Sequence, residues 1–155
     1  MLAIVLDQSS KQFAEAKLTA HQAVNLFPYF DWYLTYNTGA AFSFLAGAGG
    51  WQRWFFTLIA IVVSAIILQW IRKLEKGETM TAISLSLILG GAIGNVIDRI
   101  LFGHVIDFIQ VWLGSYPFPA FNLADSSITL GAILLIITSF TSGSKSPADE
   151  KHERH

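Results

Sequence analysis

Apolar residues run almost unbroken from Trp54 to Ile71, "WFFTLIAIVVSAIILQWI", interrupted only by small hydroxyls and Gln69. At ~1.5 Å of rise per residue this segment predicts a helix that crosses the hydrocarbon core of a bilayer. Arg53 on one side, Arg72, Lys73 and Lys76 on the other, and tryptophans at both ends suit the two interfaces. A second apolar stretch, "MTAISLSLILGGAIGNVIDRILF", runs from about Met80 to Phe102 and turns polar only at its far end. A third runs from near Asn122 to near Phe140, before the polar run "TSGSKSPADEKHERH", which reads as a disordered tail over residues 143–155. Lys and Arg gather after the first and last of these spans, so the positive-inside tendency puts that tail in the cytoplasm and places Asn95, Asp98, Asp107 and Asp125 toward the outer side.

Between Val24 and Gly47 the texture changes. "VNLFPYFDWYLTYNTGAAFSFLAG" is rich in aromatic and β-branched residues, is broken by Pro28 and Gly39, and has no helical period. It predicts short strands joined by a turn at Asn37 to Gly39, lying on the membrane surface with Trp32, Tyr33 and Phe42 at the headgroups. At the N-terminus only six residues precede Asp7. They make ~9 Å of helix, too little to reach the cytoplasmic interface from an acid in the outer half of a bilayer. An incomplete first helix is the favoured reading, with no basic segment or small-residue cleavage site to suggest a cleavable signal peptide.

Composition strengthens the membrane reading. The 155 residues are 53% apolar and 14% charged, with a mean hydropathy of +0.50, against roughly 25% charged residues in an ordinary soluble domain. A net charge of −1 leaves no basic surface on which to argue for nucleic acid. The chain has no cysteine, which excludes disulfides, thiolate nucleophiles and Cys-ligated metals. Neither a metal nor a cofactor is expected.

The chemistry therefore rests on polar residues at the ends of apolar helices. Ser86, Gly90, Gly94 and Asp98 recur every four residues, a stripe whose simplest use is close helix packing. Asp98 and Arg99 could form an interfacial ion pair, or could join Asn95, one turn away, in a hydrogen-bonding ledge. Asp107 follows Gly103, which is placed to end the helix. It reads either as a solvated loop acid or, among Val105, Ile106, Phe108 and Ile109, as a carboxyl whose pKa is raised. In "FNLADSS" Asn122 and Asp125 have the spacing of a capping box, and an acid in the first helical turn suits the helix dipole. Asp125 could be a cap, a reactive group or both. Paired with a second acid at the same outer mouth it could share a proton, one carboxyl acting as base toward water and the other as acid. His104 and Ser126 lack the surroundings of a nucleophile elbow, so a serine mechanism has little support.

Five motifs in order, "DQSSK" at Asp7 to Lys11, "NTGAAFSF" at Asn37 to Phe44, "GGAIGNVIDR" at Gly90 to Arg99, "HVIDF" at His104 to Phe108 and "FNLADS" at Phe121 to Ser126, resemble the lipoprotein signal peptidase, or signal peptidase II, family. The resemblance implies a mainly α, polytopic membrane protein of four transmembrane helices with a small periplasmic β-cradle, forming one domain over residues 1–142. It implies an aspartic endopeptidase of the bacterial inner membrane, with both termini cytoplasmic and the active site periplasmic. The enzyme would cleave prolipoproteins just before a diacylglyceryl-modified cysteine. Asp107 and Asp125 would form the catalytic pair, and the choice of Asp107 over Asp98 rests on the resemblance. Asn37, Asn95, Asp98, Arg99 and Asn122 would shape the pocket or hold substrate, with Asp7 supporting the site from the first helix. Membrane lipids and globomycin-type inhibitors would be further partners, and a monomer is expected. A proton-coupled carrier would also need intramembrane acids, but would show repeats or broken helices. A non-catalytic assembly factor would explain the small-residue stripe alone.

Overall fold

The computed structural model describes residues 1–39 and 49–142. Phe42, the rest of the surface segment up to residue 48, and the polar tail lie outside the described residues. Helix α1 (Leu2–Lys17) leads into strands β1 (Ala23–Phe27) and β2 (Phe30–Asn37). Helices α2 (Trp51–Arg72) and α3 (Thr79–Leu101) follow, then strands β3 (Val105–Leu113) and β4 (Tyr116–Pro117) and helix α4 (Leu123–Ser142). Three helices are long and apolar enough to cross a membrane: Trp51–Arg72, Thr79–Leu101 and, within α4, Leu123–Phe140. Their bounds lie within three residues of those read from hydrophobicity. Helix α1 has 16 residues, short of the ~20 that a span needs. Much of the outward surface of α2 and α4 is aliphatic, including Leu58, Ile66, Ile133 and Ile137. It is a surface suited to lipid rather than water.

The four strands form one antiparallel sheet in the order β1-β2-β3-β4. The turn between the first two strands is at Pro28 and Tyr29, between the paired residues Phe27 and Phe30, and not at Asn37 to Gly39. Proline at the second position and a positive φ of 66° at Tyr29 are the features of a type II turn. At Asn37 the side-chain oxygen instead accepts the Gly39 N–H at 2.9 Å, an Asx turn that imitates the sequence signal of a hairpin. Strand β3 is the element that hydrophobic periodicity missed. Its first four residues, Val105 to Phe108, are all buried, so no polar alternation marks it as a strand. Asp107 is thus a strand residue, 2% exposed, and not a solvated loop acid.

Side chains from α1, β2 and β3 make a small core of Ala14, Leu34, Ile106 and Phe108 that docks the sheet against the helices. Gly103, at φ +85°, ends α3 in the left-handed conformation expected of a glycine just past a helix and turns the chain into β3. Helices α3 and α4 cross closely. A Cβ on Gly131 would stand 2.6 Å from the Ser84 carbonyl oxygen, and one on Gly91 would collide with the Ala124 carbonyl oxygen. The packed small residues are therefore Ser84, Gly90, Gly91 and Gly94, whereas Ser86 is exposed. Between apolar helices in lipid, such close approach supplies the dispersion contact that holds them together. Gly131→Ala is expected to lower stability by about 1–3 kcal/mol. An unchanged thermal midpoint in detergent would contradict so tight a crossing.

Candidate active site

Where α3 ends and α4 begins, the sheet comes down onto the helices and brings two carboxylates to one cavity. Asp125 is held by the start of α4. Its backbone N–H donates to Asn122 Oδ1 at 2.9 Å, and its Oδ2 accepts the Asn122 N–H at 3.3 Å. This is a reciprocal capping box, with aspartate in place of the usual glutamate. The other carboxylate oxygen of Asp125 accepts the Asn95 side-chain amide at 2.8 Å. Asp107 projects from β3, opposite Thr35 of β2. Its Oδ1 accepts from Asn122 Nδ2 at 2.7 Å and its Oδ2 from Asn37 Nδ2 at 3.2 Å. Asn122 thus touches both acids, with its oxygen toward the Asp125 backbone and its amino group toward Asp107.

A buried ion cluster backs this pair. The Lys11 ammonium lies 2.8 Å from Asp7 Oδ2, 2.8 Å from Asp98 Oδ2 and 3.1 Å from Asn95 Oδ1. Three acceptors match its three N–H donors, and both ion pairs are almost wholly removed from solvent. Because an ammonium only donates, Asn95 must turn its oxygen to Lys11 and its NH2 to Asp125. Asp98 also accepts from Gln8 Nε2 at 2.8 Å and from the Ile106 N–H at 3.2 Å. Its cation is Lys11 from α1, not the neighbouring Arg99. Asp7 Oδ1 accepts the Ala124 N–H at 2.9 Å, one of the free donors in the first turn of α4. Gly94 leaves the room this needs, since a Cβ there would lie 2.5 Å from Asp7 Oδ2.

The cavity has a volume of about 760 Å³. Asn37, Asn95, Arg99, Asp107 and Asp125 line its polar end, and Phe118, Phe121, Ile128, Leu130 and Ile133 carry it along an apolar wall of α4. Asp7, Asp98 and Asn122 are fully buried behind that polar end. The Arg99 guanidinium donates to the Gly39 carbonyl at 3.1 Å and to the Asn95 carbonyl at 3.4 Å. Burial, and next the charge of Asp125, push the Asp107 pKa up to about 7, against the smaller opposing effects of the Asn37 and Asn122 hydrogen bonds and of Lys11. Two carboxyls in such an environment can hold one proton between them near neutrality.

His104 and Ser126 do not assemble a serine system. The imidazole packs on Tyr36, with ring centroids 4.5 Å apart, and the Ser126 hydroxyl donates to the Asn122 carbonyl within its own helix. Of the polar groups at the site, Lys11 and Gln8 received no role from the sequence. The one available signal was the Asp7–Lys11 spacing of four, which places the two on one helical face.

Residues 1–141 match the family model described as Signal peptidase (SPase) II. A lipoprotein signal peptidase of Pseudomonas aeruginosa is 58% identical over 144 residues, covering 92% of this chain and 85% of that protein. One from Pseudomonas putida is 52% identical over 155 residues, covering 99% and 90%. Two solved structures, each described as a bacterial membrane enzyme studied by the in meso method, are similar in fold. The first has a TM-score of 0.84 at 32% identity and covers 94% of this chain and 88% of its own. The second has a TM-score of 0.77 at 33% identity, covering 88% and 86%.

Proposed function

Since the chain belongs to the signal peptidase II family, we propose that it is an intramembrane aspartic endopeptidase that cuts prolipoproteins before a diacylglyceryl-modified cysteine. The observation that carries this reading is the convergence of Asp107 and Asp125 on one cavity, joined through Asn122 and Asn95. One carboxylate takes a proton from water as the water attacks the scissile carbonyl, while the protonated partner polarises the carbonyl oxygen. Collapse of the tetrahedral intermediate breaks the C–N bond, and a carboxyl proton goes to the leaving amine. Arg99, Asn37 and Asn95 hold the substrate backbone at the polar end, and the apolar wall of α4 takes the signal peptide and the lipid chains. The substrate's diacylglyceryl group is already anchored in the bilayer, so a site at the outer interface meets the bond at its own depth with water at hand.

The distribution of Lys and Arg supports an orientation with both termini in the cytoplasm and the dyad on the periplasmic side of the inner membrane. In this reading α1 is the membrane-inserted remainder of a fourth helix, and the enzyme works as a monomer. Globomycin-type inhibitors bind across the dyad. The direct test is the mobility of a diacylglyceryl-modified prolipoprotein on a gel after incubation with the purified protein, beside an unlipidated control. Processing of the lipidated form alone supports the reading, and no processing of either contradicts it.

The pH dependence follows from Asp107. Its carboxyl, ordinarily near 3.8, titrates near 7 in the folded protein, so the shared proton is present below that value and lost above it. The rate is expected to fall as pH rises through about 7. Stability shifts in the same direction: the folded state binds the extra proton between the two values, so the Asp107 contribution is greatest at low pH and is lost as pH climbs from about 4 to about 7. Rate and thermal midpoint measured between pH 5 and 9 check both, and a rate that does not decline across neutrality contradicts the shared proton.

A further inference from the structure

A second, smaller chamber opens on the opposite side of Asp107. Its volume is about 170 Å³, and Tyr33, Thr35 and Tyr36 of β2 line it together with Asn37, Asp107, Pro119 and Ala120. The last four also line the large cavity, so the two spaces meet at the Asp107 carboxylate. Their walls differ: the large cavity runs along aliphatic side chains of α4, whereas the small one is walled by hydroxyls, an amide and aromatic rings of the sheet.

Strand pairing explains why these side chains share a face. Thr35 stands directly across from Asp107 in the β2–β3 ladder, and directly opposed residues of antiparallel strands project to the same side. A register shift between Trp32 and Thr35 re-aims the side chains at this point, as bulges beside active sites commonly do. The Tyr36 hydroxyl is engaged with Glu15 of α1, so Tyr36 offers the chamber its ring, while Tyr33 and Thr35 offer hydroxyls. Strand β2 is paired along both edges, to β1 and β3. An occupant therefore cannot add as a further strand to β2 and must be read by side chains from the face.

We propose that this sheet-side chamber is a subsite for the peptide that follows the lipidated cysteine, a short extended stretch of small, polar residues. The inference rests on the reading of Asp107 and Asp125 as the cleaving pair. If the signal peptide and the lipid occupy the apolar cavity, the chain beyond the scissile bond must leave past Asp107 on another path. The chamber that meets the carboxylate from the sheet side is such a path. Its polar walls disfavour acyl chains, because an apolar group there would strip water from hydroxyls and an amide without replacing their hydrogen bonds. Its volume holds several waters, a space that a peptide backbone with small side chains fills while reproducing those bonds.

Two lipidated substrates with the same signal peptide test this, one ending in an amide at the modified cysteine and one extended by four small polar residues. Wild-type protein is expected to process the extended substrate with a kcat/KM about tenfold higher, equivalent to ~1.4 kcal/mol. Thr35→Phe, which fills the chamber, is expected to bring that ratio close to one, and Tyr33→Phe to lower it about threefold. Comparing two substrates within each variant removes any general loss of folding or of catalysis. A ratio unchanged by Thr35→Phe and Tyr33→Phe, or a ratio near one in the wild type, overturns the subsite while leaving the cleavage reading standing. Wild-type protein that cuts neither substrate overturns the cleavage reading and the subsite with it.

Discussion

Asp107→Asn and Asp125→Asn are each expected to lower kcat by at least ~10³-fold with the fold retained, since each removes one half of a proton-sharing pair whose work is proton transfer in the transition state. The fold should survive because neither change alters side-chain volume. Both oxygens of each carboxylate accept hydrogen bonds, Asp107 from Asn122 and Asn37, and Asp125 from Asn95 and the Asn122 N–H. An amide in either place sets one NH2 against a donor, at a cost of about 1–3 kcal/mol. That loss is offset in part because a group disfavoured as a buried anion is gone. Cleavage rates and thermal midpoints measured on the same preparations separate the two effects. Full activity in either variant would remove that residue from the mechanism.

The second large effect is expected at Lys11. Lys11→Met leaves Asp7 and Asp98 buried without their cation, and breaking a buried ion pair by removing one partner costs about 3–5 kcal/mol. The damage also reaches the dyad. Without the ammonium, nothing compels Asn95 to present its amino group to Asp125, and the position of Asn122, which donates to Asn95 Oδ1 at 3.2 Å, is loosened. Thermal unfolding in detergent checks the expected fall in midpoint, followed by cleavage assays on whatever folded fraction remains. Lys11→Met with wild-type stability and rate would show that the cluster contributes nothing to either, contrary to its burial and its three filled donors.

Much of the helical framework was legible because its signals are local. The capping box of Asn122 and Asp125, the stop at Gly103 and the three apolar runs each depend on residues a few positions apart. The sheet was less so. Strand β3 is buried along its first half and shows no alternation, and the Asn37–Thr38–Gly39 run signals a turn that sits after the second strand rather than between the first two. The site lay partly beyond reach for a different reason: its organising contacts are long-range. Lys11 bonds a residue 84 positions away and Asn122 one that is 27 away. Nothing in the spacing of single residues tells that Asp98 turns inward to Lys11 while Asp107 faces the cavity. From the residues alone the two acids were equivalent, and only the ordered motifs distinguished them.

The most direct test of the central claim is the intact mass of the products formed from a diacylglyceryl-modified prolipoprotein, with the unlipidated precursor run in parallel. The account predicts two products whose masses sum to that of the substrate plus one water, the larger beginning at the lipidated cysteine, and no products from the unlipidated precursor. A cut at another bond, or equal cutting of the unlipidated precursor, would contradict it.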